Sequence, residues 1–320
     1  MPTTSDNLQL SRPSLAANSP LVHGRERTLS DYLHAAISPN TRRAYRADLD
    51  HYFAWGGTIP STPEELAHYL ADHADRFAVA TLVRRLSAIS IAHKALGEVS
   101  PTGDLLVTTA LRGIRRLHGR RQKQARPILV SELFAMLDGL GQSLQDMRDR
   151  ALLLVGFAGA FRRSELVEID CEDLEWCAQG LIVHIGRTKT DIGGKGRKIG
   201  IPLAKGRHCP VHATQHWLSQ AGITEGPVFR PLRNLGEVRR TRLSSEAVSL
   251  IVKARIKAAG FDPALYSGHS LRAGLATSAA MVGVPSWKIR QQTGHTSDVM
   301  LGRYIRDAEL FRSNAAGQLL

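Results

Sequence analysis

The sequence predicts a mainly α protein in two parts, an all-helical N-terminal domain followed by a mixed α/β domain with one small antiparallel sheet. Three observations predict it. From Thr28 to Leu117 apolar residues recur at spacings of three and four with no strand-like alternation. Only Leu181–Ile185 and Lys198–Pro202 read as strands, joined by the Gly- and Lys-rich turn from Gly186 to Arg197. Between the two halves, Arg112 to Arg126 carries seven basic residues and no acidic one, and like charges that close resist packing together. At 320 residues and 43% hydrophobic, the chain has material for two cores.

Residues 1–27 are rich in Ser, Thr, Asn and Pro without the apolar run of a secretory signal, and they read as a disordered leader. Ser38-Pro39 starts a helix with Tyr45, Leu49, Tyr52 and Phe53 on one face, closed by Gly56-Gly57. Thr62-Pro63-Glu64-Glu65 starts a second, with Pro and acids in its first turn. A third spans about Val79 to Leu96, and a fourth about Asp104 to Leu117. Residues 28–117 therefore form a helical domain, and 118–127 a basic, extended linker ending at Pro127. The second domain covers 128–305. In it, Ser131 caps a short helix, and Arg150–Phe161 is apolar almost all round, as a central buried helix would be. Further helices are expected at Ser244–Ala259, Gly268–Val282, Ser286–Gln292 and Asp298–Ile305. Residues 306–320 form a tail, either a short docking helix or a frayed end.

Lys and Arg number 42 against 29 Asp and Glu, a net charge of +13. Together with a pI near 10.1, this points to a polyanionic partner, nucleic acid first. No stretch approaches the roughly 18 apolar residues of a membrane span. The expected location is cytoplasmic and nucleoid-associated, with no membrane partner. Three cysteines, an odd number, imply a reducing compartment and no disulfide framework. His208, Cys209 and His212 fit no paired-cysteine zinc spacing, so neither metal nor cofactor is expected.

Five short stretches carry chemistry: Phe161-Arg162-Arg163-Ser164-Glu165-Leu166, Arg187-Thr188-Lys189-Thr190, Ser267-Gly268-His269-Ser270-Leu271-Arg272, Thr293-Gly294-His295-Thr296 and Gly302-Arg303-Tyr304-Ile305. A phosphodiester exchange without metal needs an activated nucleophile, cations for the developing charge and a proton for the leaving alkoxide. Arg162 and Arg272 can hold phosphate oxygens bidentately. His269, three residues before Arg272, shares its helix face. Lys189, at the strand-to-strand turn, can protonate the 5′ oxygen. Tyr304 is the natural nucleophile, because a phosphotyrosyl ester stores the energy of the broken bond and resealing then needs no ATP. Deprotonating a tyrosine of pKa about 10 costs roughly 4 kcal/mol at neutral pH unless nearby cations lower it.

In this order, the motifs resemble the tyrosine recombinase (phage integrase) family, and Ile185-Gly186-Arg187-Thr188-Lys189-Thr190, Ser267-Gly268-His269-Ser270 and Tyr304-Ile305-Arg306 are most similar to its Cre-type members. The resemblance implies phosphate binding by Arg162 and Arg272, Lys189 as general acid, proton handling and phosphate contact by His269 and His295, attack by Tyr304, and orientation of the site by Glu165. His295 stands where Cre-type proteins have Trp. Arg163 is unusual beside the first catalytic arginine; the i,i+3 relation to Glu165 selects Arg162. The resemblance also implies a SAM-like core-binding domain, a C-shaped clamp on double-stranded DNA, a homotetramer on two sites, and a tail helix docking on a neighbouring protomer.

DNA contacts are expected from Thr41, Arg42, Thr81, Arg84, Arg85, Lys94, Arg115, Arg116, Arg120, Arg121, Arg187, Arg240 and Arg242, on basic faces and turns. A type IB topoisomerase would use the same chemistry to relax DNA, and a regulator could keep the fold without catalysis. Two-metal nucleases need clustered carboxylates, of which only Glu165 is near. Gly193-Gly194-Lys195-Gly196 lacks the spacing of a P-loop.

Overall fold

The computed structural model describes residues 37–119, 125–186, 196–233, 236–295, 297, 301, 302 and 304. The expected leader, the tail from 306, and Arg120, Arg121, Arg187 and Lys189 lie outside the described residues. The chain divides into two compact units at residues 122 and 123.

The first unit contains helices α1 (Pro39–Trp55), α2 (Pro63–His73), α3 (Val79–Ala95) and α4 (Leu105–His118). Each start is explained locally. Ser38 Oγ accepts the Thr41 N–H at 3.2 Å and Thr62 Oγ1 accepts that of Glu65 at 3.2 Å, satisfying donors that a first turn leaves unpaired. Asp104 does the same for Leu106 at 2.7 Å. Gly56, at φ +106°, ends α1 in the left-handed region that glycine enters without a Cβ penalty. Tyr52, Leu66, Tyr69, Leu70, Leu82, Ile89 and Val107 are wholly buried and form the core. The basic run starts on the fourth helix: Val107, Leu111 and Ile114 bury one face of α4, and Arg112, Arg115 and Arg116 ride on its exposed side to His118.

The second unit opens with α5 (Val130–Asp138), α6 (Leu144–Ala158) and α7 (Arg163–Glu168). Ser131 is not the cap of α5; Glu132 reaches back to the Leu129 N–H at 2.8 Å. The central helix begins earlier than expected, at Leu144, because Ser143 Oγ accepts the Asp146 N–H at 3.1 Å. Strands β1 (Leu174–Cys177), β2 (Gly180–Ile185) and β3 (Arg197–Pro202) form an antiparallel meander in which Leu174 pairs Val183 and Val183 pairs Ile199. Their inward residues meet Leu152, Phe161 and Trp217 in the main core. After the sheet come α8 (Pro210–Gln220), α9 (Ser245–Ala258), α10 (Ser270–Met281) and α11 (Ser286–Thr293). Edge strand β1 and helix α8 lack counterparts in the sequence reading. Gly274 lets α10 lie against the segment entering α5: a Cβ there would sit 1.9 Å from the Ile128 carbonyl oxygen. Among the described residues no helix is long and apolar enough to cross a membrane.

Candidate active site

The site is built where the ends of α6, α7, β3, α10 and α11 converge. Phe161-Arg162 leaves α6 and starts α7, whose third residue, Glu165, turns back in a capping arrangement. Its Oε2 accepts the Arg162 N–H at 2.9 Å and its Oε1 the Arg162 Nη1–H at 2.5 Å. Arg163 points elsewhere, donating to Ser249 Oγ at 2.8 Å.

Ser270 begins α10, which places Arg272 in the interior, 1% exposed, with Nη1 donating to the Ala160 carbonyl at 2.8 Å. Ala160 turns that carbonyl inward through φ +48°, a left-handed conformation costly for a residue with a Cβ. Burial, then the neighbouring Arg162, pushes the Arg272 pKa down to about 10, which leaves it a cation at neutral pH.

The last turn of α11 and Gly294 at φ +67° bring His295 into the same place. Thr293 Oγ1 and His295 Nδ1 are 2.8 Å apart, and the ring is 8% exposed. Burial first, and then Arg272, Arg162 and other cations, push the His295 pKa down to about 4. His269 is also held below its ordinary value by loss of surrounding water, with Arg272, Arg162 and Arg163 adding to the effect. The His295 ring is thus neutral near pH 7. Tyr304 Oη lies 2.9 Å from His269 Nε2, and its ring centroid is 5.9 Å from that of His295.

One site residue escaped the sequence reading. Arg197 Nη2 donates to Glu165 Oε2 at 3.0 Å and Nη1 to the Gln292 carbonyl at 3.2 Å, so the first residue of β3 ties α7 to α11. A signal existed, because Arg197 is in phase with the inward Ile199 and Ile201 of an alternating strand. The described cluster thus holds three guanidiniums around one carboxylate and suits an anion with several oxygens. The Tyr304 hydroxyl and two imidazoles stand beside it.

The expected DNA-contact residues divide. Arg42, Lys94, Arg115, Arg116 and Arg240 are exposed, and Thr41 and Thr81 partly so. Arg84 is half exposed but chelates Asp48 at 2.7 and 2.8 Å. One expectation is corrected: Arg85 is buried, with its guanidinium 3.9 Å above the Phe77 ring and donating to Tyr69 Oη at 3.1 Å, so it braces the helices. Arg242 is partly exposed and donates to the Val167 carbonyl at 2.6 Å and to Asp170 at 2.8 Å. Among the described residues no group of three His, Cys, Asp or Glu side chains is disposed to hold a metal.

The pattern described as the phage integrase family matches residues 128–310, more than half of the chain. The chain is also 40% identical over 297 residues to an integrase/recombinase xerD homolog of Selenomonas ruminantium, covering 90% of this chain and 87% of that protein. This chain belongs to the phage integrase family. The chain is 27% identical over 271 residues to recombinase cre of Escherichia phage P1, spanning 78% of each. Its fold matches a lambda integrase (75-356) dimer bound to a COC' core site, at TM-score 0.57 and 21% identity, over 88% of this chain and 96% of that one. It matches equally the Tn1549 transposon integrase in complex with transposon right end DNA, at TM-score 0.61 and 14% identity, over 89% and 96%. All five motifs fall within the matched span.

Proposed function

We propose that this tyrosine recombinase cuts and rejoins double-stranded DNA at specific sites through a covalent 3′-phosphotyrosyl intermediate, without metal or ATP. The observation that carries the reading is the 2.9 Å contact between Tyr304 Oη and His269 Nε2, beside the buried Arg272.

The scissile phosphate binds between Arg162 and Arg272, whose charges are only partly cancelled by Glu165. Tyr304 Oη attacks phosphorus as its proton passes to His269 Nε2, neutral and within hydrogen-bond reach. The Oη–P bond forms, the bond from phosphorus to the 5′ oxygen breaks, and Lys189 gives that oxygen its proton. The arginines stabilise the charge that grows on the non-bridging oxygens, by a few kcal/mol per donor if they resemble an oxyanion hole. Rejoining is the reverse, with a 5′ hydroxyl of another strand displacing Tyr304. The lambda integrase tetramer bound to a Holliday junction supports extending the reading to four protomers on two sites. Residues 28–117 serve as the core-binding domain, 118–127 as the linker and 128–305 as the catalytic domain. Arg42, Lys94, Arg115, Arg116 and Arg240 contribute phosphate contacts.

A nicked suicide substrate, which loses the fragment carrying the 5′ hydroxyl and so traps the adduct, tests this directly. Wild type accumulates protein–DNA adduct in EDTA and Tyr304→Phe accumulates none. An adduct formed by Tyr304→Phe removes Tyr304 from the mechanism. Rapid relaxation of plasmid lacking a recombination site by monomer would instead make the enzyme a topoisomerase.

A further inference from the structure

The hydrogen bond between Thr293 and His295 does more than fill space. Thr293 is fully buried at the end of α11, and its hydroxyl lies 2.8 Å from the Ile289 carbonyl and 3.5 Å from that of Arg290. The same oxygen lies 2.8 Å from His295 Nδ1. A threonine hydroxyl has one proton, and a carbonyl can only accept. With that proton directed to the helix carbonyls, Oγ1 turns a lone pair to the imidazole, and Nδ1 must be the donor. The reverse assignment would leave two acceptors, Oγ1 and the Ile289 oxygen, facing each other at hydrogen-bond distance. The left-handed turn at Gly294, whose own N–H returns to the Arg290 carbonyl at 2.7 Å, is what folds His295 back over a residue only two positions earlier.

We propose that Thr293 is a positioning residue that holds His295 in the Nδ1–H tautomer, so that the ring enters the site with Nε2 as a proton acceptor and donates from Nε2 only after protonation. The partner of one ring nitrogen dictates what the other can do. Burial first, and then the charges of Arg272, Arg162, His269 and Arg197, keep His295 unprotonated. An arriving phosphate offsets those charges and favours a proton on Nε2. Phosphate binding and proton uptake at His295 are thereby linked. The catalytic side of this inference rests on the proposed function, whereas the tautomer does not.

The test is nitrogen NMR of the full chain with 15N-labelled histidine, free of DNA at neutral pH, with the His295 signals identified by their absence from His295→Gln. Wild type should show a protonated Nδ1 and an unprotonated Nε2. Thr293→Val should shift the ring toward the Nε2–H form, and Thr293→Ser should restore it. On the suicide substrate, Thr293→Val should form the Tyr304 adduct about 10–100-fold more slowly at unchanged DNA affinity, the scale seen when groups orienting a metal-bound imidazole are removed. Thr293→Ser should stay within a few fold of wild type. A proton on Nε2 in wild type overturns the inference even if Thr293→Val fails to fold, as does a Thr293→Val spectrum with the tautomer unchanged. Wild type with the Nδ1–H tautomer and no Tyr304 adduct would overturn the proposed function and leave the tautomer standing.

Discussion

Replacing Glu165 with Gln removes one negative charge from between two guanidiniums while preserving the side-chain volume. The Glu165 side chain is 7% exposed, and its oxygens lie 2.5 Å from Arg162 Nη1 and 3.0 Å from Arg197 Nη2. A glutamine can still accept one of these bonds, but its NH2 must then face an N–H donor. Breaking a fully buried ion pair costs about 3–5 kcal/mol, whereas an exposed pair is worth below about 1. The partners here are 30% and 20% exposed. The expected loss therefore lies between these limits, at about 2–3 kcal/mol, or a fall in Tm of roughly 4–12 °C for a domain of this size. Urea unfolding followed by tryptophan fluorescence measures it, since Trp217 is fully buried in the same core. Arg197→Met should couple to Glu165→Gln by more than about 0.5 kcal/mol in a double-mutant cycle, because the two side chains touch. A Glu165→Gln loss below about 0.5 kcal/mol, or strict additivity with Arg197→Met, would show that the pairs do not hold the site together.

Acid sensitivity should trace in part to His295. Its pKa of about 4 in the folded chain lies below roughly 6.5 in the unfolded one. The unfolded state therefore binds more protons between these values, and stability should fall as pH drops from about 6.5 toward 4. Tm should decline more steeply over that window for wild type than for His295→Gln; parallel declines would count against the assignment. Gly274→Ala should destabilise by more than about 2 kcal/mol in urea despite the better helix propensity of Ala, because its Cβ meets the backbone of Ile128. In DNA titrations at several salt concentrations, Arg115→Ala should reduce the salt slope by about 1. Arg85→Met should instead lower the Tm and leave the slope unchanged, and a reduced slope would return Arg85 to the phosphate contacts.

Local signals carried a large part of this molecule. Ser38, Thr62 and Asp104 cap as their side chains dictate, and Arg162 pairs with Glu165 because positions three apart on a helix start must face each other. What stayed hidden depended on partners far along the chain. The basic side of α3 reads as open to solvent, yet Asp48, more than thirty residues earlier, draws Arg84 and Arg85 toward α1. The β1 strand is four residues long with two exposed, too little alternation to register. Helix α8 did carry a signal, Pro210 in its first turn with Val211, Thr214 and Trp217 at helical spacing, and Trp217 then anchors it by donating to the Val228 carbonyl at 2.8 Å. Arg197 was legible in phase but not in purpose, since nothing in a single strand announces a carboxylate on α7.

The carbonyl of Ala160 has a further consequence for how this enzyme lives without DNA. Arg272 is received by a dipole; among the described residues, none of its hydrogen bonds goes to a carboxylate. A dipole orients a guanidinium and satisfies one donor without cancelling its charge, so the attraction for an anion is retained. The unliganded protein must then remain folded around cations that repel one another, and part of its conformational stability is withheld until a polyanion arrives. Duplex DNA should thus act as a structural ligand as well as a substrate, and the empty enzyme should be the form most readily lost to unfolding and proteolysis.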